Sequence, residues 1–442
     1  MTEQIIIIGA ILSFLIIGFL IKKGQIKTIG EFSINRDKLG WFPIAAGISM
    51  TYAGGAALLN MASLGHTFKW QGMVDPLGLI GGILIVILLI NKYREDKGVT
   101  ISDLLSGSNE KLSVLIGLIT TFVFTLILAS QFVALSKIMT PYFPNVNYAI
   151  LTIVPSAFIF SYVFLGGFGS VTKTDILQLI FIIAFLFIPM LFFVGTSNNS
   201  ISNENVEFSK MPLNLMILLG ISLIYLPVSQ DINIRVKSAK SKKQAITGLL
   251  VGALIYTLII GTSTFIGITL AKNGVELADT EQAFPIFFKE YFPKFGIIAI
   301  IAALAAIIST MDSYSLNSVT ALSNDILSKT NLSNKYSQNQ LIKFSAAIIF
   351  VIAAFVAVWF NQILSLILTS LLIYISTLLP IAIARKFSVS DNYIFYSSVV
   401  LIFAIILLEI FKVHIEYKAV FYPLIGIILM GMAYLIQKTF TK

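Results

Sequence analysis

The sequence predicts an all-α integral membrane protein with about thirteen transmembrane helices. Three observations carry this. Of 442 residues, 57% are hydrophobic and 12% charged, with mean hydropathy +0.92; a soluble domain has roughly 25% charged residues. Apolar stretches long enough to cross ~30 Å of hydrocarbon recur along the whole chain. The loops between them alternate, basic and then polar or acidic.

The stretches lie at 4–22, 42–65, 72–92, 112–139, 147–165, 174–195, 212–234, 244–271, 294–323, 341–360, 362–384, 391–412 and 418–437. The first follows no basic n-region and ends in no small-residue cleavage site, so it reads as a retained helix, not a signal peptide. The second holds Gly54-Gly55 at its middle. The sixth opens with the acid Asp175, and the seventh contains Pro227 followed by Ser229, Gln230 and Asp231. The ninth carries a polar run, Ser309 to Asn317. The remainder are uninterrupted apolar helices. The segments around 22–40, 91–98, 235–244, 328–343, 385–386 and 437–442 are basic. Those around 142–148, 196–211 and 271–294 are polar or acidic. Cytoplasmic loops are the basic ones. The expected topology therefore has the N-terminus outside, the C-terminus in the cytoplasm, and the 236–243 loop cytoplasmic. The localisation is a plasma membrane, multi-pass and bacterial.

Several function classes drop out. With no cysteine there is no disulfide, thiolate metal site or Cys nucleophile. His66 and His414 lie far apart in sequence, which argues against zinc or a Ser-His-Asp triad. No Walker A motif is present. The net charge of +9 sits in short loops, so it sets topology rather than binding nucleic acid. An enzyme is not expected.

Two helices are interrupted. Paired glycines lower the cost of unwinding, and proline removes a backbone hydrogen bond. A plain kink explains either interruption alone. Five spans apart, however, they enter the membrane from opposite sides and hold matching positions in two inverted halves. Unwound backbone at membrane depth is tolerated only where it lines an enclosed or watery cavity, and such paired interruptions mark transporter binding sites.

In the ninth helix Ala306, Ser309, Thr310, Ser313 and Asn317 fall on one small, polar face, with Asp312 on its flank. Such a face either packs a helix or supplies hard oxygen donors to a hard cation. Packing does not explain Asp312, because a lone acid there costs roughly 2.5–3.5 kcal/mol. Some fifteen residues at 1.5 Å each place Ser309 about 22 Å from the outer end. Asp175, entering from the other side, lies at similar depth. It either caps its helix N-terminus or faces a cation.

The stretch GGFGSVTKTDILQ resembles the signature of the sodium:solute symporter family, and AAIISTMDSYSLNSVTALSNDI is similar to that family's eighth core helix. AFPIFFKEYFPKFGIIAIIAALAA and IRVKSAKSKKQA match flanking patterns more loosely. The resemblance covers roughly residues 30–435. It implies a leucine-transporter-like fold forming a single transporter domain over 1–442. That domain comprises an extra N-terminal helix (4–22), a first five-helix repeat (42–195), an inverted second repeat (212–385) and two C-terminal helices (391–437). It also implies a main sodium site from the carbonyls of Met50, Ala53 and Ala306 and the hydroxyls of Ser309 and Thr310. A second cation or proton site would use Asp175, Asp312 and Ser313. Implied substrate contacts are Gly54, Asn60, Asp75, Gln131, Ser229, Gln230 and Thr369 or Ser370. Gly54 stands where the family often has Ser, Tyr52 where proline carriers have Asp, and 112–136 holds no arginine. These departures speak against proline and sialic acid as substrates.

The expectation is a sodium-coupled symporter importing a small polar solute (a sugar, amino acid or carboxylate) by alternating access. It works as a monomer in a lipid bilayer, with Na⁺ as coupling ion. A proton-coupled symporter of the same fold and a transporter-like membrane sensor are the alternatives.

Overall fold

The computed structural model describes residues 2–21, 26–190, 211–293, 296–410 and 418–440. Residues 191–210 lie outside the described ones, and with them most of the expected external 196–211 loop. Among the described residues the chain is helical, with no strand and one isolated bridge, Leu39 to Ala239.

Helix α1 (Thr2–Ile21) precedes a short α2 (Ile29–Ser33). The expected second span is split into α3 (Trp41–Tyr52) and α4 (Gly55–Phe68). Then come α5 (Val74–Glu95), a short α6 (Ile101–Ser106), α7 (Glu110–Met139) and α8 (Tyr148–Ile182). The second interruption separates α9 (Leu213–Tyr225) from α10 (Gln230–Ser238), with a bend of 47° between the two arms. The chain closes with α11 (Lys242–Lys272), α12 (Ala283–Tyr291), α13 (Gly296–Thr320), α14 (Gln338–Trp359), α15 (Ile363–Lys386), α16 (Asp391–Ile410) and α17 (Lys418–Phe440). Nine helices among the described residues are long and apolar enough to cross a membrane, ten when the bent pair counts as one. That is fewer than the thirteen stretches, because α4 and α5 run on as one 41-residue stretch and some segments are short on their own.

Two boundaries differ from the expectation. The expected break between two spans falls at Gly167, whose non-helical φ of +55° and ψ of −163° divide α8 into two arms, but the residues after it, 168–173, are helix and not loop. Only glycine adopts that φ cheaply. Its missing Cβ also leaves room for the Phe32 carbonyl, which a Cβ would meet at 2.7 Å. Asp175 therefore sits about two turns past the kink, too far in to cap a helix start. The second difference lies at α10, which runs on to Ser238, past the expected end at 234. Arg235 is thereby carried into the protein rather than into a loop.

The core is built from helices in crossed contact. Helix α11 packs along both α3 and α4, and α13 packs against α7 and α8. Nearly the whole of α13 is buried, Ala299 to Thr320 apart from Ile301. A helix buried all round touches neighbours on every face, so its polar residues must find partners inside the protein.

Candidate functional site

The two interruptions free backbone groups. Gly54 is extended (φ −64°, ψ 172°) between α3 and α4. The last carbonyls of α3 and the first N–H groups of α4 thus lack helical partners. The side chains supply some. Gln131 of α7 accepts from the Ala56 N–H at 3.1 Å, and Thr310 of α13 donates to the Met50 carbonyl at 3.1 Å. Helix α13 comes so close to this break that a Cβ on Gly54 would lie 1.8 Å from Thr310 Oγ1. At the other break Ser229 is extended (φ −72°, ψ 131°). The Tyr93 hydroxyl donates to the Pro227 carbonyl, and Tyr374 to that of Val228 at 3.0 Å.

The polar face of α13 is engaged along its whole length. Thr310 Oγ1 lies 2.8 Å from the Ala306 carbonyl as well as 3.1 Å from that of Met50. Ser309 Oγ donates to Asp175 Oδ1 at 2.5 Å. Ser313 Oγ accepts from Thr51 at 2.9 Å and from Arg235 at 3.2 Å. Asn317 donates to Asp231 at 3.3 Å. Asp312, on the flank, accepts from Thr174 at 3.3 Å. Met50, Ala53, Ala306, Ser309, Thr310, Asp175, Asp312 and Ser313 are all buried.

One buried cation organises this cluster. Arg235 is 1% exposed, and its Nε donates to Asp231 Oδ2 at 2.9 Å. Its Nη1 lies 3.5 Å from Asp175 Oδ2. Its Nη2 donates to Thr51 at 2.5 Å and Ser313 at 3.2 Å. A Cβ on Gly47 would meet Nη1 at 1.6 Å, so the absence of a side chain there makes room for the guanidinium. The fixed fork of arginine suits it to hold several acceptors at once. A single residue of α10 thereby ties α3, α8 and α13 together.

Beside the Gly54 break is a cavity of about 90 Å³. Gly54, Asn60, Asp75 and Gln131 line it, together with Thr310 and a group of tyrosines. An open vestibule of about 670 Å³, bordered by Lys137, Asp279 and Glu281, shares Asn60 and Leu364 with the cavity. At the basic-loop end the segments are tied to one another. Asp37, Lys38 and Leu39 donate backbone hydrogen bonds to Lys237 and Ser238. Arg94 pairs with Asp37 at 2.7 Å, and Lys237 pairs with Asp96.

The model of the sodium:solute symporter family matches residues 32–411. The chain belongs to the sodium:solute symporter family. It is a membrane protein of a symport family whose coupling ion is Na⁺. Sodium/proline symporter 2 of Staphylococcus saprophyticus is 25% identical over 348 residues, 73% of this chain and 67% of its own length. The sodium/proline symporter of Staphylococcus aureus is 24% identical over 340 residues, 71% of this chain and 66% of its own. The chain thus spans about two thirds of the length of these relatives. A solved Na⁺-coupled sialic acid symporter, substrate-bound and outward-open, superposes with a TM-score of 0.73 at 17% identity, over 99% of this chain and 97% of that one. Mhp1, a nucleobase-cation-symport-1 family transporter in a closed conformation with bromovinylhydantoin bound, does so at 0.58 and 15% identity, over 93% and 95%. These likenesses show a leucine-transporter-like fold.

Of the sodium-site residues expected from sequence, Thr310 of α13 meets the Met50 and Ala306 carbonyls, Ala53 ends α3 at the break, and Ser309 faces Asp175. The substrate residues divide. Gly54, Asn60, Asp75 and Gln131 reach the cavity. Ser229 stands behind Tyr52 at 3.4 Å, and Gln230 accepts from the Ile101 N–H at 2.6 Å, which fastens α10 to α6. Thr369 borders the vestibule, and Ser370 bonds its own helix at the Leu366 carbonyl. Sequence reasoning missed Arg235 and the cavity tyrosines Tyr225, Tyr256 and Tyr314. For Arg235 a signal existed: Asp231 and Arg235 are four apart, the spacing of a helical ion pair. The tyrosines lie on separate helices, and no spacing links them.

Proposed function

We propose that this chain imports a small polar solute together with Na⁺ by alternating access. The observation that carries this is the approach of Thr310 to the freed Met50 carbonyl, beside a cavity that shares Asn60 and Leu364 with a polar vestibule. The Met50, Ala53 and Ala306 carbonyls and the Ser309 and Thr310 hydroxyls form the sodium-binding oxygen set. Sodium held there draws the broken helix and α13 together, while the solute rests beside Gly54, Asn60, Asp75 and Gln131. The vestibule faces outside, and the Arg94–Asp37 and Lys237–Asp96 pairs close the cytoplasmic side. The two inverted repeats run over 42–195 and 212–385, with the N-terminus outside. At the expected second cation position, Asp175 and Ser313 already face the Arg235 guanidinium. On this reading one sodium ion is coupled, and Arg235 is the resident cation that Asp175 shares with Asp231.

The test is the thermal stability of the purified protein in Na⁺ against K⁺ at equal ionic strength, for the wild type and Ser309→Ala. A Na⁺-specific rise in melting temperature that the variant loses is expected. No Na⁺-specific rise in the wild type overturns the proposal.

A further inference from the structure

The cavity beside Gly54 is lined by one carboxyl group and no basic side chain. Asp75 is the only carboxyl residue in its wall; no Lys or Arg is present. No ion pair joins Asp75 to a described lysine or arginine. Its carboxylate is oriented by two donors from different helices, Ser222 of α9 on Oδ1 and Tyr256 of α11 on Oδ2. A carboxylate accepts at about four lone-pair positions, so two acceptor positions stay free. Asp75 also keeps accessible surface while lining the cavity.

The rest of the wall suits a cation. Tyr52, Tyr225, Tyr256 and Tyr314 line the cavity, and aromatic rings attract cations through their negative faces. An anionic group finds no cationic side chain in the wall. The Ala56 N–H, at the start of α4 where a carboxylate would bind, is already taken by Gln131. The cavity of about 90 Å³ has room for more than a single water, enough for a compact head group.

We infer that the transported solute is a small organic cation whose ammonium group docks on Asp75, without a carboxylate of its own. This rests on the proposed Na⁺-coupled import and names its substrate class. Each cycle then moves two positive charges inward, one Na⁺ and one ammonium.

The test uses the full chain in proteoliposomes under an inward Na⁺ gradient, with transport current as readout. The probes are methylammonium, ethanolamine, choline and tetramethylammonium, against L-proline and glucose. Na⁺-dependent currents from at least one amine, and none from proline or glucose, are expected. Asp75→Asn should raise the half-saturating amine concentration about a hundredfold, the scale of losing a paired charge. Asp75→Glu should largely keep the response. In both variants the Na⁺-specific thermal shift reports an intact fold and sodium site. Silence of all four amines overturns the inference, as does an unchanged amine response in Asp75→Asn. So does an Asp75→Asn variant that loses its sodium shift while Asp75→Glu keeps it, because Asp75 is then a sodium ligand. If proline or glucose alone gives Na⁺-dependent current, the inference falls and the symporter reading stands. If Na⁺ neither shifts the melting temperature nor supports any current, the symporter reading falls as well.

Discussion

Replacing Arg235 with alanine removes the one guanidinium that faces Asp175, Asp231, Thr51 and Ser313. All four acceptors are buried, so water cannot take its place freely. Breaking a buried ion pair by deleting one partner costs about 3–5 kcal/mol, because the remaining charge is left uncompensated. Here two carboxylates are left facing each other's field. The oxygens that remain are hard donors suited to Na⁺. An ion that binds only the folded state returns about 2.7 kcal/mol at a hundred times its Kd. Arg235→Ala should therefore melt well below the wild type in K⁺ and regain part of the loss in Na⁺, with a larger sodium-dependent shift than the wild type shows. Arg235→Lys keeps the charge but cannot span both carboxylates, so it should fall between the two. In transport, the wild type should rise hyperbolically with Na⁺. The assay is a melting curve across a Na⁺ titration, paired with initial uptake rates. Equal melting of wild type and Arg235→Ala in K⁺, or a sigmoidal wild-type sodium dependence, refutes the claim that the guanidinium serves as the resident cation.

Ser309→Ala and Thr310→Ala should each raise the half-activating Na⁺ concentration at least about tenfold while leaving solute selectivity unchanged, since each removes one hard oxygen from a small shell; uptake against Na⁺ for a solute and its competitors checks both. Asp175→Asn keeps an oxygen for Ser309 but leaves Arg235 with one carboxylate fewer, so it should lower stability by about 1–3 kcal/mol and slow transport; wild-type uptake at every Na⁺ concentration would reduce Asp175 to a spacer. Gly54→Ala places a Cβ 1.8 Å from Thr310 Oγ1, and the forced shift of α13 should abolish the Na⁺-specific thermal shift. In this cysteine-free chain, single cysteines at Ser202 and Ser241 should be labelled by an impermeant thiol reagent on whole cells at the first position only; labelling at Ser241 alone would reverse the topology.

The parts of the site legible in the sequence are those in which one helix carries the pattern. Ser309, Thr310, Ser313 and Asn317 announce a single face by their spacing, and in the structure each finds a partner on another helix. The breaks at Gly54 and Pro227 were legible because glycine pairs and proline act on the backbone itself. The break within 166–173 was legible too, but it was drawn too long. Its glycines suggest a loop, but only Gly167 adopts a positive φ, and helix resumes around it. The cavity is different in kind. Tyr52, Asp75, Tyr225, Tyr256 and Tyr314 come from five separate helices, and only tertiary packing makes them neighbours. The family resemblance pointed to Asp75 and to the position of Tyr52, but composition, rich in aromatic residues throughout, hides Tyr225, Tyr256 and Tyr314.

Arg235 was hidden by its own surroundings. The segment Arg235 to Lys243 reads as a basic loop that sets topology, and Arg235 is simply its first residue. In the structure that residue and the lysine two positions on do opposite work. Lys237 pairs with Asp96 at the basic-loop end of the molecule, among the loops. Arg235 turns inward, because residues two apart on a helix point to different sides. Its acids lie on α8 and α10, its hydroxyls on α3 and α13. The Ser309 hydroxyl of the sodium set donates to the same Asp175 that faces Arg235. Any change in how Ser309 is engaged must therefore change the field at the guanidinium, one hydrogen bond away. The guanidinium is also the point where α10, which reaches the basic-loop end, is fastened to the broken helix α3. On the proposed sodium site, the ion would take a lone pair of Ser309 while the hydroxyl proton stays on Asp175, and the polarised bond would change the field that Asp175 presents to Arg235. On that proposal sodium occupancy and the α10 end would be linked through two side chains.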